Sequence, residues 1–248
     1  TGDAFNWEKS TDQFYKVMLA HLHFPNVFTP EDTKNVLRGA MSVANTPMRE
    51  NDISPMDRYR FLYNLGCFLL YFHGDDESAI KYLKEAESGY KNVFSPSIKE
   101  RIYEGLMWLN HFRGFDAVAA EYAKKYEEEA ANTYEYCRYT GKTLEEAVEE
   151  PLYNRKEMLF ELCCSRLLQN DVAGAKVLAD RMEECPMCPK CQEGSCYEVL
   201  SARAMIALYE GELEKAFEMV EKINKDQAYG RNRDYIMILL RIADKTKV

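Results

Sequence analysis

The sequence predicts an all-α protein built as an α-solenoid of about four helical hairpins. Its 248 residues include 12 Gly and 8 Pro, about 8% against the roughly 12% of average usage, which leaves too few turn residues for a sandwich or barrel of many short strands. Apolar residues recur at spacings of three and four, the period of an amphipathic helix. Short turn signals interrupt this pattern repeatedly, and we therefore predict hairpin turns at Gly74, Gly114, Asn170 and Gly211.

Helix starts in the first half of the chain share a Ser/Thr-Pro sequence. The hydroxyl group can accept a hydrogen bond from the first helical turn, and Pro at the first helical position gives up a donor that would be unpaired. Residues 1–53 are predicted to form an N-terminal helical segment that packs on the repeats, with helices at 10–21 and 30–43. The three starts are Thr29-Pro30, Ser54-Pro55 and Ser95-Pro96.

Residues 54–230 are predicted to hold the repeated hairpins. The stretches Leu65-Gly66 with Gly74-Asp75-Asp76 and Ala79-Ile80, and later Gly211 to Phe217, resemble the tetratricopeptide repeat (TPR). That resemblance implies that Ala79, Ala119, Ala175 and Ala216 let the two helices of each hairpin approach closely. It also implies that the first helices line a concave wall.

The resemblance has departures. The intervals between those four alanines are 40, 56 and 41 residues, whereas the family repeats every 34 or so, so we expect longer helices or extended loops. Only Gly66 matches the family's first-helix glycine, while Cys163 and Ala204 occupy the corresponding places later. A solenoid of the HEAT type is the alternative; it fits the 40-residue interval but fits the Gly-acidic turns less well.

Two further segments flank or interrupt the repeats. Residues 231–248 are predicted to form a C-terminal capping helix, with a polar outer face and an inner face formed by Tyr235, Ile236, Ile238 and Leu239. The longest irregular stretch, 132–142, carries Tyr134, Tyr136 and Tyr139, and a loop of this length inside a domain is often functional. These tyrosines are candidate partner-binding residues, and the alternative is that they cover a neighbouring helix end.

A short helix is predicted to follow that irregular stretch. Thr143-Leu144-Glu145-Glu146 has the spacing of a capping box, in which the hydroxyl and the carboxylate each satisfy a backbone N–H group.

The strongest chemical signal is a cysteine-rich loop at 185–196. Cys185, Cys188, Cys191 and Cys196 follow a Cys-x2-Cys-x2-Cys-x4-Cys pattern, and two intervening residues let a pair of thiolates converge on one ion. The prediction is one structural zinc ion, because four cysteines close the coordination shell. An iron–sulfur cluster is the alternative, although the last cysteine is not followed by Pro. Unligated thiols or a labile disulfide remain the third interpretation.

Composition excludes several classes of function. A net charge of -9 disfavours nucleic-acid and anionic-membrane surfaces, since both depend on a cationic field. The sequence has no phosphate-binding glycine loop, nucleophile elbow or zinc-protease motif, and we predict that the protein is not an enzyme. Because apolar helices hold several of the cysteines, we expect a reducing, cytoplasmic location.

The leading hypothesis is a protein- or peptide-binding scaffold, whose acidic surplus favours a basic partner. Non-core polar positions on the first helices are its candidate contacts, namely Arg58, Asn64, Asn110 and Arg203. A redox- or metal-responsive regulator centred on the cysteine loop is the alternative. The chain could also be the sensory half of a larger regulatory protein.

Overall fold

The regular structure of the described residues is entirely helical, as predicted. The computed structural model describes residues 13–14, 16–17, 29–46, 54–72, 75–91, 96–133, 143, 146, 156–184 and 196–223, and within these ranges there is no β-strand. None of the described helices is long and apolar enough to cross a membrane. The helices are α1 (Pro30–Ala44), α2 (Pro55–Phe72), α3 (Asp76–Tyr90), α4 (Pro96–Phe112), α5 (Asp116–Thr133), α6 (Lys156–Leu168), α7 (Val172–Glu183), α8 (Tyr197–Tyr209) and α9 (Leu213–Lys222).

The chain divides into two compact units. Unit 1 is Thr1–Phe115 and contains α1 to α4, while unit 2 is Asp116–Val248 and contains α5 to α9. In unit 1, α2 and α3 pair as a hairpin and α4 packs on both of them. In unit 2, α6 pairs with α7 and α8 pairs with α9, and α5 packs on α6. Antiparallel helices that pack on their sequence neighbours are the arrangement predicted from the repeated turns.

Side-chain caps fix the predicted helix starts. Thr29 and Asp32 form a complete capping box, in which Asp32 N donates to Thr29 Oγ1 over 3.2 Å and Thr29 N donates to Asp32 Oδ2 over 2.9 Å. The Ser54 hydroxyl accepts from Asp57 N over 3.3 Å. The start at Ser95 lies outside the described residues.

The predicted capping box at Thr143 is also present. Thr143 N donates to Glu146 Oε2 over 2.7 Å, and Glu146 N donates to Thr143 Oγ1 over 3.2 Å. The remainder of that helix lies outside the described residues.

Three of the four predicted turns have one common geometry. Gly114, Asn170 and Gly211 take φ values of 77°, 61° and 80°, the left-handed conformation that suits Gly and that Asn tolerates. Each is followed by a residue whose N–H group donates to a carbonyl five residues earlier, over 2.8 to 2.9 Å. These are Schellman caps, which satisfy the last carbonyls of the first helix. Gly74 lies outside the described residues.

The four alanines identified from the sequence are all fully buried, at 0% exposure. Counting each alanine as zero, the residues at +3, +4 and +7 also face inward and are buried, except for the half-buried Met219. These positions share one face of a helix because they repeat every three or four residues. The alanines are Ala79, Ala119, Ala175 and Ala216.

Small residues also mark where the first helices approach the second. Cys163 Sγ donates to the carbonyl oxygen of Ala175 over 3.4 Å, and both Cys163 and Ala204 are fully buried. A Cβ atom placed on Gly66 would lie 3.3 Å from the carbonyl oxygen of Ala79 and 2.6 Å from Leu83 Cγ. The predicted correspondence of Gly66, Cys163 and Ala204 therefore agrees with the packing.

The N-terminal segment contributes one side chain to the core of unit 1. Residues 13–14 and 16–17 are helical, within the predicted helix at 10–21, whose other residues lie outside the described ranges. Phe14 is buried, with its ring centroid 5.2 Å from that of Phe61 and 6.0 Å from that of Phe68, both edge to face. Residues 231–248, predicted to form the capping helix, lie outside the described residues.

Candidate partner-binding surfaces

Arg58, a predicted partner contact on α2, is held by intramolecular bonds. Its Nε and Nη2 atoms donate to Glu85 Oε1 on α3 over 3.1 and 2.8 Å, and Nη2 donates to the carbonyl oxygen of Ala44 over 3.3 Å. The side chain is half-buried. Arg58 thereby joins α2 and α3 to the end of α1, so its first role is structural.

Asn64 and Asn110 are interior residues, and their predicted placement outside the core is wrong. Both are buried, and Asn110 Nδ2 donates to the carbonyl oxygen of Leu106 one helical turn earlier, over 2.6 Å. An error of one residue in helical register rotates a side chain by about 100°, which is enough to move it from the surface to the core. These two asparagines are therefore not surface residues of their helices.

Arg203, the fourth predicted contact, connects α8 to α7. Its Nε donates to Glu183 Oε1 over 2.8 Å, and its Nη2 is bonded to Asp180. The hydrogen bond to Glu183, followed by that to Asp180, raises the pKa of Arg203 above its ordinary value. Arg203 remains half-exposed, so part of its side chain faces solvent while the guanidinium group holds the two helices together.

A polar network between α5 and α6 was not anticipated from the sequence. Glu127 accepts from Ser165 Oγ over 2.7 Å and from Gln169 Nε2 over 2.8 Å, and its other oxygen lies 2.9 Å from Arg166 Nη2. Ser165 is fully buried and also lies 3.2 Å from the carbonyl oxygen of Ala123. The network fixes α5 against α6 although 22 residues separate them in the chain.

The signal for that network was present as a repeated glutamate. Glu87, Glu127 and Glu183 each stand eight residues after a buried hairpin alanine. Glu127 binds α6, and Glu183 binds α8. A residue eight positions after the alanine lies about 80° away around the helix, on the flank that meets the next hairpin.

The most accessible side-chain row on a first helix lies on α2. Met56 and Arg60 are exposed and Tyr63 and Cys67 are half-buried, and their spacing of four, three and four residues puts them on one face. We call these four residues the open stripe. The faces on either side are occupied, since Gly66 meets Leu83 and Phe61 meets Phe14.

First helices in unit 2 offer little accessible surface. Ten of the thirteen residues of α8 are buried, including consecutive residues on every side of the helix. A helix that is apolar all round is an interior element. Unit 2 therefore presents Arg203 and few neighbouring side chains, whereas unit 1 presents the open stripe.

The cysteine loop is represented among the described residues by its last member. Cys196 is buried at the N-cap of α8, and its Sγ donates to Glu198 Oε2 over 3.2 Å. Cys185, Cys188 and Cys191 lie outside the described residues, as do Tyr134, Tyr136 and Tyr139. Within the described ranges no three His, Cys, Asp or Glu side chains are grouped so that they could hold a metal ion.

The remaining described cysteines are reduced thiols, namely Cys67, Cys163 and Cys164. Burial raises the pKa of Cys163 to about 12, against a smaller opposing effect of the Arg203 charge. The thiolate is the reactive form, so Cys163 is chemically inert at neutral pH.

Together these hairpins, their buried alanines and their Schellman turns define a TPR-like helical-repeat protein. The chain is similar to two crystal structures of a protein described as a putative kinesin light chain of Podosopora anserina, with nearly identical TPR-like repeats. One of them, a variant with a single substitution, gives a TM-score of 0.55 and the other gives 0.53; each is 12% identical, with 90% of this chain and 98% of that chain covered. No protein-family profile and no curated protein matches the chain.

Proposed function

We propose that the protein is a scaffold that binds a partner protein or peptide through the open stripe of α2. The observation that carries this proposal is the accessibility of Met56, Arg60, Tyr63 and Cys67 on a first helix whose other faces are packed. First helices are also where the TPR resemblance places ligand contacts. No catalytic role is assigned to the chain.

The side chains of the open stripe suit protein recognition. Tyrosine and arginine dominate the binding energy of many interfaces, because each combines a large contact area with hydrogen-bonding groups. Tyr63 is half-buried, so its ring is already positioned by its neighbours and loses little conformational freedom on binding. Arg60 can donate to a backbone carbonyl or to the terminal carboxylate of a peptide.

The net charge of -9 supports a partner that is basic overall. A negative surface attracts a cationic partner from a distance and accelerates encounter, while the local contacts decide which segment is held. We therefore propose a basic peptide segment whose backbone or terminus meets Arg60. The reduced cysteines support a cytoplasmic location.

The test begins with a displayed peptide library selected on the full chain, followed by calorimetric titration of the enriched peptides. Arg60→Glu and Tyr63→Ala should each weaken binding at least tenfold. The matched control is Lys84→Glu, which makes the same charge change at an exposed position of α3. Equal binding to all variants would overturn the proposal. Loss of binding only when Tyr134, Tyr136 and Tyr139 are replaced would assign the function to the inserted loop instead.

We also propose a structural zinc ion held by Cys185, Cys188, Cys191 and Cys196. The position of Cys196 supports it, because a thiolate at a helix N-terminus is favoured by the helix dipole. The bound ion would supply a fixed link between the end of α7 and the start of α8. It would reinforce the bonds that Arg203 makes between the same two helices.

Metal analysis of the purified chain tests the zinc proposal. One zinc ion per chain is expected, with loss of the ion and a lower melting temperature in Cys188→Ser but not in Cys67→Ser. A brown chromophore would indicate an iron–sulfur cluster. Metal that is easily lost, with a change in peptide binding on its loss, would support the metal-responsive regulator. Absence of any metal from a freshly purified, reduced sample would contradict both.

A further inference from the structure

The second helices of unit 2 carry a side-chain row that joins each hairpin to the next. On α7, Lys176 Nζ lies 2.6 Å from Glu210 Oε1 at the turn after α8, while Asp180 and Glu183 hold Arg203 of α8. These positions are +1, +5 and +8 from Ala175, and they lie within about 60° of one another around the helix. We call the +1, +5 and +8 positions of a second helix the stacking row.

On α9, the last described helix, the stacking row is exposed. Phe217 stands at +1 from Ala216 and is 45% exposed, and Glu221 stands at +5 and is also exposed. In α7 the same positions hold Lys176 and Asp180, both ion-paired to the next hairpin. The α9 row therefore keeps the acidic group at +5 and replaces a charged side chain at +1 with an aromatic ring.

We propose that residues 231–246 of this chain dock on the stacking row of α9, with an apolar side chain against Phe217 and an arginine on Glu221. The interface continues the pattern of the preceding joint, in which an arginine of the next helix meets the acidic groups of α7. The segment carries the required groups, since Arg233 and Arg241 accompany the apolar run from Tyr235 to Leu239.

The connecting chain is long enough for this docking. Ile223 is the last described residue, and the seven residues between it and Arg231 can span at least 20 Å or so when extended. The inference goes beyond the proposed partner binding, which concerns α2, and does not depend on it. It assigns a use to the largest exposed aromatic side chain of α9.

Hydrogen exchange on the full-length chain tests the proposal. Amides of 231–246 should be protected in the unmodified protein and should exchange at least tenfold faster in Phe217→Glu. Val177→Glu is the matched control, because Val177 is an apolar residue of α7 with 55% exposure and stands at +2, outside the stacking row. A second pair of variants, Glu221→Arg and Glu218→Arg, separates the row from the solvent side of α9, and only the former should accelerate exchange.

Three results would overturn the docking. The first is rapid exchange of 231–246 in the unmodified protein, and the second is equal exchange in Phe217→Glu and Val177→Glu. The third is a dimer in light-scattering measurements that Phe217→Glu dissociates while 231–246 stays unprotected, which would make a second copy the occupant.

Discussion

Replacing Gly66 by Ala should destabilise unit 1, although alanine is the better helix former. Leu83 of α3 is fully buried between two glycines. A Cβ atom on Gly66 would lie 2.6 Å from Leu83 Cγ, and a Cβ atom on Gly105 of α4 would lie 2.8 Å from Leu83 Cδ1. The Leu83 side chain thus fills the space that both glycines leave open, and it has no free direction in which to move.

The magnitude follows from two opposing contributions. Overpacking a core by one methyl group costs about 1–3 kcal/mol, and replacing Gly by Ala within a helix returns about 1 kcal/mol. We expect Gly66→Ala to lower the free energy of unfolding by about 1 kcal/mol. Leu83→Ala alone should cost about 2–5 kcal/mol because it leaves a cavity.

In the Leu83→Ala background, the Gly66→Ala substitution should reverse sign. Its new methyl group would then enter the cavity, so the change should stabilise the protein by about 0.5–1 kcal/mol through helix propensity. Urea unfolding of the four proteins measures this double-mutant cycle. Gly39→Ala is the control, since a Cβ atom there meets no other atom within 4 Å. If Gly66→Ala stabilises the unmodified protein as much as Gly39→Ala does, the packing argument fails.

Three further predictions concern unit 2. Glu127→Ala should lower the free energy of unfolding by about 2 kcal/mol, because hydrogen bonds to a charged group are lost, whereas the exposed Glu121→Ala should change it by less than about 0.5 kcal/mol in urea unfolding. Gly211→Ala should cost about 1–2 kcal/mol, because alanine is strained at φ 80°; thermal unfolding beside Gly39→Ala checks the sign. The Cys163 thiol should resist alkylation in the folded protein at pH 8. Its folded pKa of about 12 exceeds the ordinary thiol value of 9.0, so its contribution to stability is present below pH 9 and is lost as pH rises towards 12, and Cys163→Ala should flatten that part of the stability profile.

Sequence reasoning located the elements whose causes are local. The turns at Gly114 and Gly211 follow from the left-handed conformation that glycine accepts. The start of α1 follows from a hydroxyl group and a carboxylate three residues apart. The buried alanines were found because hairpin helices must approach closely at one point after each turn.

Sequence reasoning was less successful with contacts between distant segments. Asn64 and Asn110 were misplaced because the exposed face of a helix depends on which neighbours cover it, and those neighbours are distant in the chain. The burial of α8 on all sides has the same cause. The Glu127 network joins residues about 40 positions apart, and no local pattern specifies such a pair.

The open stripe also needed the structure. Four positions at helical spacing could have faced the core or the solvent, and the packing of Gly66 on Leu83 and of Phe61 on Phe14 decides which face of α2 remains accessible.

Site-specific photocrosslinking of a selected peptide tests the central claim, partner binding through α2, most directly. A photoreactive amino acid is placed at position 63 in the open stripe or at position 84 on α3, one position per protein. We predict that the bound peptide crosslinks efficiently from position 63 and not from position 84, and that excess unlabelled peptide abolishes the product. A crosslink from position 84 alone, or from neither position while the peptide is bound, would contradict the assignment of the binding surface.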